Sequence, residues 1–391
     1  MPEKGHDPLL FTPPPAEILA ALDGLPKGLD KVLPVRGKHA KALPIDVRRL
    51  SEMLTSERGS RPKGYLADAP LLSAYLRAFL PWNLIRLARL LPNLDLGPAL
   101  ANPEGAVVAD LGAGPLTFGI ALWLARPDLR GLPLRLVCVD PVAKAMRAGR
   151  DILASLAGPD SPWKVDTVTG GVGVKLRRKA DLLVTANTLN ELDISGRSED
   201  RTSALARDLA RALTPEGRLL VIEPGVRGAV RALTLLRQFL LDEQDMVPLA
   251  PCPHHGPCPM TGLGRSAWCH FTFPARPAPD WLLKLSARSE LPKTSLSLSF
   301  LLMARADAPP SGGVRMVSGA FPVPGGQGQY GCSERGLVLT VRPNALPALE
   351  SGRLIPPRWP EEETRDPKSG ALVMPMLTPE KPAGGQSEGK K

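Results

Sequence analysis

Residues 106–117 read AVVADLGAGPLT, and the fold turns on how that stretch is parsed. Four apolar residues lead into Asp110, glycines follow at 112 and 114, and PLTFGIALWLA then has the length of a helix. The spacing predicts a buried strand, a tight turn and a helix. Glycine at 112 and 114 lets the backbone turn sharply and approach a ligand where a Cβ would collide. The next strand, LRLVCVD, ends in Asp140. A carboxylate there can take both hydroxyls of a ribose. Dinucleotide folds use the same second-strand acid, so this geometry alone leaves the cofactor open. The dinucleotide fingerprint also needs a third glycine, at 117, and that position is Thr117.

Outward from this core, strand and helix patterns alternate. The helix VAKAMRAGRDILASL is followed by a weak strand VDTVTG, a good strand DLLVTAN, and a helix from Asp200 to Leu213. The strand GRLLVIE and the helix RALTLLRQFLLDE come next. Such alternation implies an α/β domain, a parallel sheet covered on both faces, placed at 105–306. SLSLSFLLMAR, near its end, reads as a late sheet strand. Residues 248–273 form a Pro/Cys/His-rich insertion without periodicity, and 307–345 read as a small β module. Residues 1–104 carry apolar residues at helical spacing and read as an N-terminal helical domain. Pro26, Pro34, Pro44, Pro62 and Pro81 break or kink its segments. Pro-rich residues 1–15 and the tail 346–391, with eight prolines and an EEE run, are assigned as disordered.

Composition narrows the function classes. Five cysteines in 391 residues exclude a disulfide-dense secreted scaffold. No apolar run reaches the length of a membrane span, and the N-terminus has no signal-peptide pattern. A soluble, cytoplasmic, monomeric protein without membrane contact is expected. The net charge is +10. It divides as +3 over 1–104, +2 over 105–249, +5 over 250–345 and zero in the tail. Seven cations (Lys27, Lys31, Arg36, Lys38, Lys41, Arg48, Arg49) crowd residues 27–49 against Asp30 and Asp46. One such run is as well read as a solvated face; two separated basic regions point to a phosphate-bearing partner. Aromatic residues are only 4%, so backbone and shape contacts rather than aromatic stacking are expected to dominate contact with such a partner.

Cys252, Cys258, Cys269 and Cys332 lie beyond the last core helix, while Cys138 sits in the second strand as ordinary core. Prolines at 251, 253, 257 and 259 stiffen the first loop and lower the entropy cost of presenting thiolates to a metal. Four thiolates can hold zinc or an iron–sulfur cluster, and spacing does not choose between them. His254, His255 and His270 are alternative donors.

The D-x-G-x-G loop, DLLVTANTLNEL with Asn187 at the mouth of its strand, and the Pro215–Glu216–Gly217 turn before GRLLVIE resemble the class I methyltransferase series. That likeness favours S-adenosylmethionine over NAD, although many such enzymes place a glycine where this chain has Leu116. DLGAGPLT, VDPV, TLNEL, PCPHHGPCPM and WCHF together resemble the bacterial relatives of the methyltransferase-like assembly factor of the mitochondrial small ribosomal subunit. The resemblance spans roughly residues 60–340, and the PCP…PCP block with WCHF is its specific part.

It implies a class I S-adenosylmethionine-dependent methyltransferase (Rossmann-like) fold with an N-terminal helical domain and a C-terminal Cys-rich/small β module. It also implies S-adenosylmethionine at Asp110, Gly112, Gly114, Asp140 and Asn187. A [4Fe–4S] cluster, with zinc as the alternative, is implied at Cys252, Cys258, Cys269 and Cys332, the last supplied by the β module. The implied partner is the small ribosomal subunit precursor and its rRNA.

Two functions stay open at this point, an rRNA methyltransferase and a non-catalytic assembly factor. A zinc-containing small-molecule methyltransferase fits the basic regions and cysteines poorly. TANTLNEL lacks the Asn/Asp-Pro-Pro-aromatic clamp used to methylate amino groups of bases. No cysteine follows the fourth or fifth strand as a nucleophile for cytosine C5. Asn187, Asn190 and Glu191 are polar groups at the right end of the sheet, and none is assigned as catalytic.

Overall fold

The computed structural model describes residues 9–55, 62, 64–189, 199–264, 266–305 and 308–376. Helix α1 (Ala16–Val32) buries Ile18, Leu22, Leu25 and Leu29, one face at three- and four-residue steps. Helix α2 (Lys38–Leu54) does the same with Val47, Leu50 and Met53. Pro26 and Pro44, read from sequence as breaks, lie inside these helices. Each removes one backbone donor, and the buried apolar face outweighs that loss. Asp68 caps helix α3 (Ala69–Ala74) by accepting the Leu71 amide at 3.1 Å. A π turn over Tyr75–Phe79 joins it to helix α4 (Leu80–Leu90). Pro81 has no N–H for the carbonyl of residue 77, and the wider turn carries the chain past that gap.

Strand β1 (Ala106–Leu111) leads into helix α5 (Thr117–Ala125), and β2 (Leu134–Asp140) into α6 (Ala143–Ala157). Then follow β3 (Lys164–Thr169), β4 (Ala180–Ala186), α7 (Glu199–Arg211), β5 (Leu213–Glu223) and α8 (Arg227–Gln244). The sheet is completed by β6 (Val247–Ala250), β7 (Phe271–Pro274), helix α9 (Asp280–Arg288) and β8 (Ser295–Ala304). Its strand order is β3-β2-β1-β4-β5-β8-β6, with β7 paired to β8. Strands β1 to β5 run parallel, and β8 is antiparallel to β5 and β6. The late strand expected from sequence is therefore present, with its direction reversed. This is the class I methyltransferase sheet. The order switches between β1 and β4, so the crevice beyond their carboxyl ends is where such a sheet receives a ligand.

The N-terminal helices α1 and α4 lie against the methyltransferase-like sheet. Helix α1 packs on α6 and α4 on α5, both sharing one core with the sheet, while α2 buries Val47, Leu50 and Met53 in a separate cluster with Leu71, Ala74, Ala78 and Leu285. Helices α1 and α4 form the sheet's cover on that face.

A second sheet holds β9 (Val314–Met316), β10 (Phe321–Val323), β11 (Gly326–Ser333), β12 (Gly336–Arg342), β13 (Leu354–Ile355) and β14 (Leu372–Pro375). Its order is β13-β9-β11-β12-β14, with β10 on β11. Over residues 346–376 the assignment of the tail as disordered is corrected here; residues 377–391 lie outside the described residues. Strand β14 pairs in parallel with β12, and Ala371, Leu372 and Met374 are buried. Proline and charge dominate the average composition of this segment and mask one short apolar run that fills a strand position.

The Pro-rich start is corrected in the same way over its described part. Leu10 and Phe11 are each only 5% exposed. The Phe11 ring lies 5.1 Å from Phe271 and 5.3 Å from Phe273. The Leu10 amide donates to the Gly352 carbonyl and the Thr12 amide to the Arg89 carbonyl. Phe11→Ala is expected to cost about 3–5 kcal/mol of stability, the usual range for a buried aromatic cut to alanine. Urea unfolding measures this; a loss under about 1 kcal/mol would return the segment to the disordered class.

Candidate functional site

At the carboxyl end of β1 the glycine loop folds back on β2. The amides of Gly112 and Ala113 both donate to the Val139 carbonyl, at 2.7 and 3.0 Å. Asp140 holds the same loop: Oδ2 accepts the Gly114 amide at 2.9 Å and Oδ1 the Val142 amide at 2.8 Å. Each Asp140 oxygen thus keeps one lone-pair direction for a further donor. Asp110 is 1% exposed, and its Oδ1 has no hydrogen-bond partner. Burial, and then the nearby Asp140 carboxylate, push Asp110 up to about 8. Asp140 is raised by burial, against which the two amides pull it down.

The glycines serve different needs. Gly114, at φ +50°, has open space where a Cβ would stand, with only Leu66 Cδ1 at 4.0 Å. Gly112, at φ +82°, does not: a Cβ there would lie 2.3 Å from Thr188 Oγ1 and 2.4 Å from Thr188 Cγ2. The neighbour that demands glycine at 112 is therefore a side chain of this protein. Gly112→Ala is expected to cost about 2–4 kcal/mol, combining overpacking with a left-handed backbone. A melting temperature within a degree of the parent would contradict it. Leu116 is fully buried at φ +56°, so a leucine is held in a left-handed conformation by its packing.

Asn187 is half-buried at φ +58° and donates its amide to the Ile222 carbonyl at 2.7 Å. Asn190 and Glu191 lie outside the described residues. Two residues that sequence reasoning passed over complete this end of the sheet. Glu223, at the end of β5 and fully buried, accepts the amides of Thr188 and Leu189 at 3.1 and 2.8 Å. Thr188 closes over Gly112. The acid at the end of GRLLVIE was a visible signal, but its targets depend on β4 and β5 being neighbours.

Cys252, Cys258, Cys269 and Cys332 line one cavity. The first follows β6, the second lies in the stiffened loop, the third precedes β7, and the fourth comes from β11 of the second sheet. Cys138 is fully buried in β2, apart from them. Of the alternative donors, His254 alone lines the cavity, with Nε2 3.3 Å from Cys332 Sγ. Burial, aided by Arg237, lowers the His254 imidazole to about 4, so it is neutral at pH 7. Burial pushes the thiols of Cys269 and Cys332 well above the ordinary range.

Arg237 and Arg315, which sequence reasoning also missed, line the same cavity and are 3% and 7% exposed. Arg237 Nη2 donates to the carbonyls of His254 and Gly256, while its Nε and Nη1 have no hydrogen-bond partner. Two buried arginines thus line the cavity with the four cysteines, and an anionic group there would complement their charge. Among the described residues no three His, Cys, Asp or Glu donors are gathered closely enough to hold a metal ion.

Of the cations at 27–49, all but Arg48 are exposed; Arg48 pairs with Glu290 at 2.7 Å. No helix among the described residues is long and apolar enough to cross a membrane.

Several solved structures overlap part of the chain. A methyltransferase from Pyrococcus furiosus is 10% identical, covering 52% of this chain and 76% of that one, with a TM-score of 0.32. Precorrin-6y C5,15-methyltransferase from Geobacter metallireducens is 13% identical, covering 53% and 86%, with a TM-score of 0.33. Magnesium protoporphyrin IX methyltransferase from Synechocystis, solved with S-adenosylmethionine, is 12% identical, covering 66% and 94%, with a TM-score of 0.33. No curated protein is similar to the chain in sequence. Residues 100–308 match the family described as mitochondrial small ribosomal subunit Rsm22. That match spans more than half of the chain, from the turn before β1 to just past β8, and the chain belongs to the Rsm22 family.

Proposed function

We propose that this protein is a small-ribosomal-subunit assembly factor that holds S-adenosylmethionine and a [4Fe–4S] cluster and binds rRNA. The observation that carries the reading is the convergence of Cys252, Cys258, Cys269 and Cys332 on one cavity with two buried arginines. Four thiolates would supply negative charge beside Arg237, whose Nε and Nη1 have no hydrogen-bond partner. The resemblance carried by PCPHHGPCPM and WCHF favours iron–sulfur over zinc.

Asp110, Gly112, Gly114, Asp140 and Asn187 fit the cofactor site. The unpartnered Asp110 Oδ1 suits a cationic ligand, the open space at Gly114 admits one, and Asp140 retains acceptor capacity for ribose hydroxyls. S-adenosylmethionine, when bound, supplies an electrophilic methyl group. Glu223 and Asp140 are occupied in fixing backbone, which favours holding the cofactor over proton transfer to or from an acceptor.

The basic segment at 27–49 and the +5 region at 250–345 supply phosphate contacts. Co-sedimentation with small-subunit precursors is expected to weaken at least tenfold between 50 and 200 mM salt, on the order expected for three or more phosphate contacts. Salt-insensitive association would contradict the phosphate reading. Mapping of small-subunit rRNA methylation in cells carrying Asp110→Asn separates the remaining roles. Unchanged methylation with slowed assembly selects the non-catalytic factor; a lost methyl mark selects the enzyme.

A further inference from the structure

A second cavity, of about 250 Å³, lies beside the four-cysteine one and shares Met260 and Val317 with it. That is room for roughly eight waters, the size of one small organic group rather than an ion. Its walls come from two places. Trp268 and His270 flank Cys269 on the loop before β7, and Phe321 and Tyr330 come from β10 and β11 of the second sheet. Arg227, at the start of α8, and Lys368, on the turn before β14, add positive charge.

The walls are fixed before any ligand arrives. Trp268 Nε1 donates to the Gly225 carbonyl at 3.1 Å. The His270 ring stacks on Trp268 with centroids 5.0 Å apart and planes 18° apart. The Arg227 guanidinium sits 4.6 Å from the Trp268 ring centre and donates to the carbonyls of Gly262, Gly264 and Ser266. Phe321 and Tyr330 stand 5.0 Å apart on the facing wall. Lys368 is exposed, and no acidic side chain lines the cavity among the described residues.

We propose that this cavity receives one unstacked nucleotide of single-stranded RNA, its base against the aromatic walls and its phosphate at Lys368. Aromatic faces bind any base through its π surface, and a flanking cation takes the phosphate. A base within a duplex is stacked and paired and cannot enter a concave site. In a chain with only 4% aromatic residues, three of them with a histidine gather at one basic cavity. The sequence expectation that stacking contributes little is thereby narrowed: it is concentrated at one place. The proposal deepens the rRNA-binding reading and rests on it for the source of the RNA.

The test uses the full chain, fluorescein-labelled hexauridine and hexaadenosine, and a duplex of matching length. Phe321→Ala and Lys368→Ala lie away from the thiols, and unchanged iron content and melting temperature confirm their fold. Phe321→Ala is expected to weaken hexamer binding by about 5- to 150-fold, the range for one lost base–aromatic stack. Lys368→Ala should weaken both hexamers alike and lower the salt slope by about one. Wild-type protein is expected to prefer the hexamers over the duplex.

Equal affinities for wild type and Phe321→Ala, or no hexamer binding at all, overturns the proposal. If the small subunit still associates with wild type in that case, the assembly reading stands without the cavity. Conversely, Phe321-dependent hexamer binding by a protein that ignores the small subunit supports the cavity and removes the assembly reading.

Discussion

Anaerobically purified Cys258→Ser protein is expected to be nearly colourless, holding fewer than about one iron where the parent holds about four, with soluble yield falling in step. Ligand loss alone does not give the full size of this effect. Arg237 is buried against the same cavity with its Nε and Nη1 unpartnered, and it would lose the thiolate charge beside it. An uncompensated buried charge costs on the order of 3–5 kcal/mol, a large part of a domain's stability. Cys332 belongs to the second sheet and its three companions do not, so the loss also loosens the joint between the sheets. Cys138→Ser is the control, since Cys138 lies in β2 outside the cavity. It should keep its iron and lose only about 1 kcal/mol or so of packing. Full iron content in Cys258→Ser, measured by metal analysis and absorbance near 400 nm, would contradict a four-thiolate site.

Asp110→Asn is expected to fold and to bind S-adenosylmethionine about 10- to 100-fold more weakly, as expected when a cation loses a charged partner. The fold survives because Asp110 is pushed up to about 8 and is mainly protonated at pH 7, a form that asparagine matches in shape. The native state holds this proton while the unfolded chain, with a carboxyl near 4, releases it. The stability contribution of Asp110 is therefore complete below about pH 4, falls by roughly 1.4 kcal/mol per pH unit as pH rises, and is gone above about 8. A cationic ligand favours the ionised form, so binding expels a proton and affinity rises toward pH 8. Asp110→Asn removes both slopes. Calorimetry in two buffers of different ionisation enthalpy reads the proton release. A wild-type affinity independent of pH between 6 and 8 would show that Asp110 does not meet the cation.

The parts of this molecule that sequence makes legible are those encoded by neighbours in the chain. The strand into Asp110, the glycine turn and the strand into Asp140 declare themselves because burial, turning and capping act over a few residues. The cysteine cluster was legible because prolines bracket Cys252 and Cys258 and mark the loop as stiff. Glu223 was not, since its role depends on Thr188 lying across β4 from it. The demand for glycine at 112 was visible, but its cause is a threonine 76 positions later. Arg237 reads as one more polar residue on an amphipathic helix until the loop at 252–258 is laid over it. The ends of the chain were misread for a related reason. Leu10, Phe11, Leu372 and Met374 are few among many prolines and charges, and averages over such segments conceal single residues that find a buried place.

The docking of Leu10 and Phe11 has a consequence for how the protein is made. These residues leave the ribosome well before the partners that bury them, Phe271, Phe273 and the Gly352 carbonyl. At a synthesis rate of about 5–20 residues per second, the wait is roughly 20 to 70 s. Throughout it two apolar side chains stay exposed, beside prolines that keep the segment from collapsing on itself. This docking joins segments far apart in sequence, so a product stalled before Phe271 lacks it whatever the state of its central sheet.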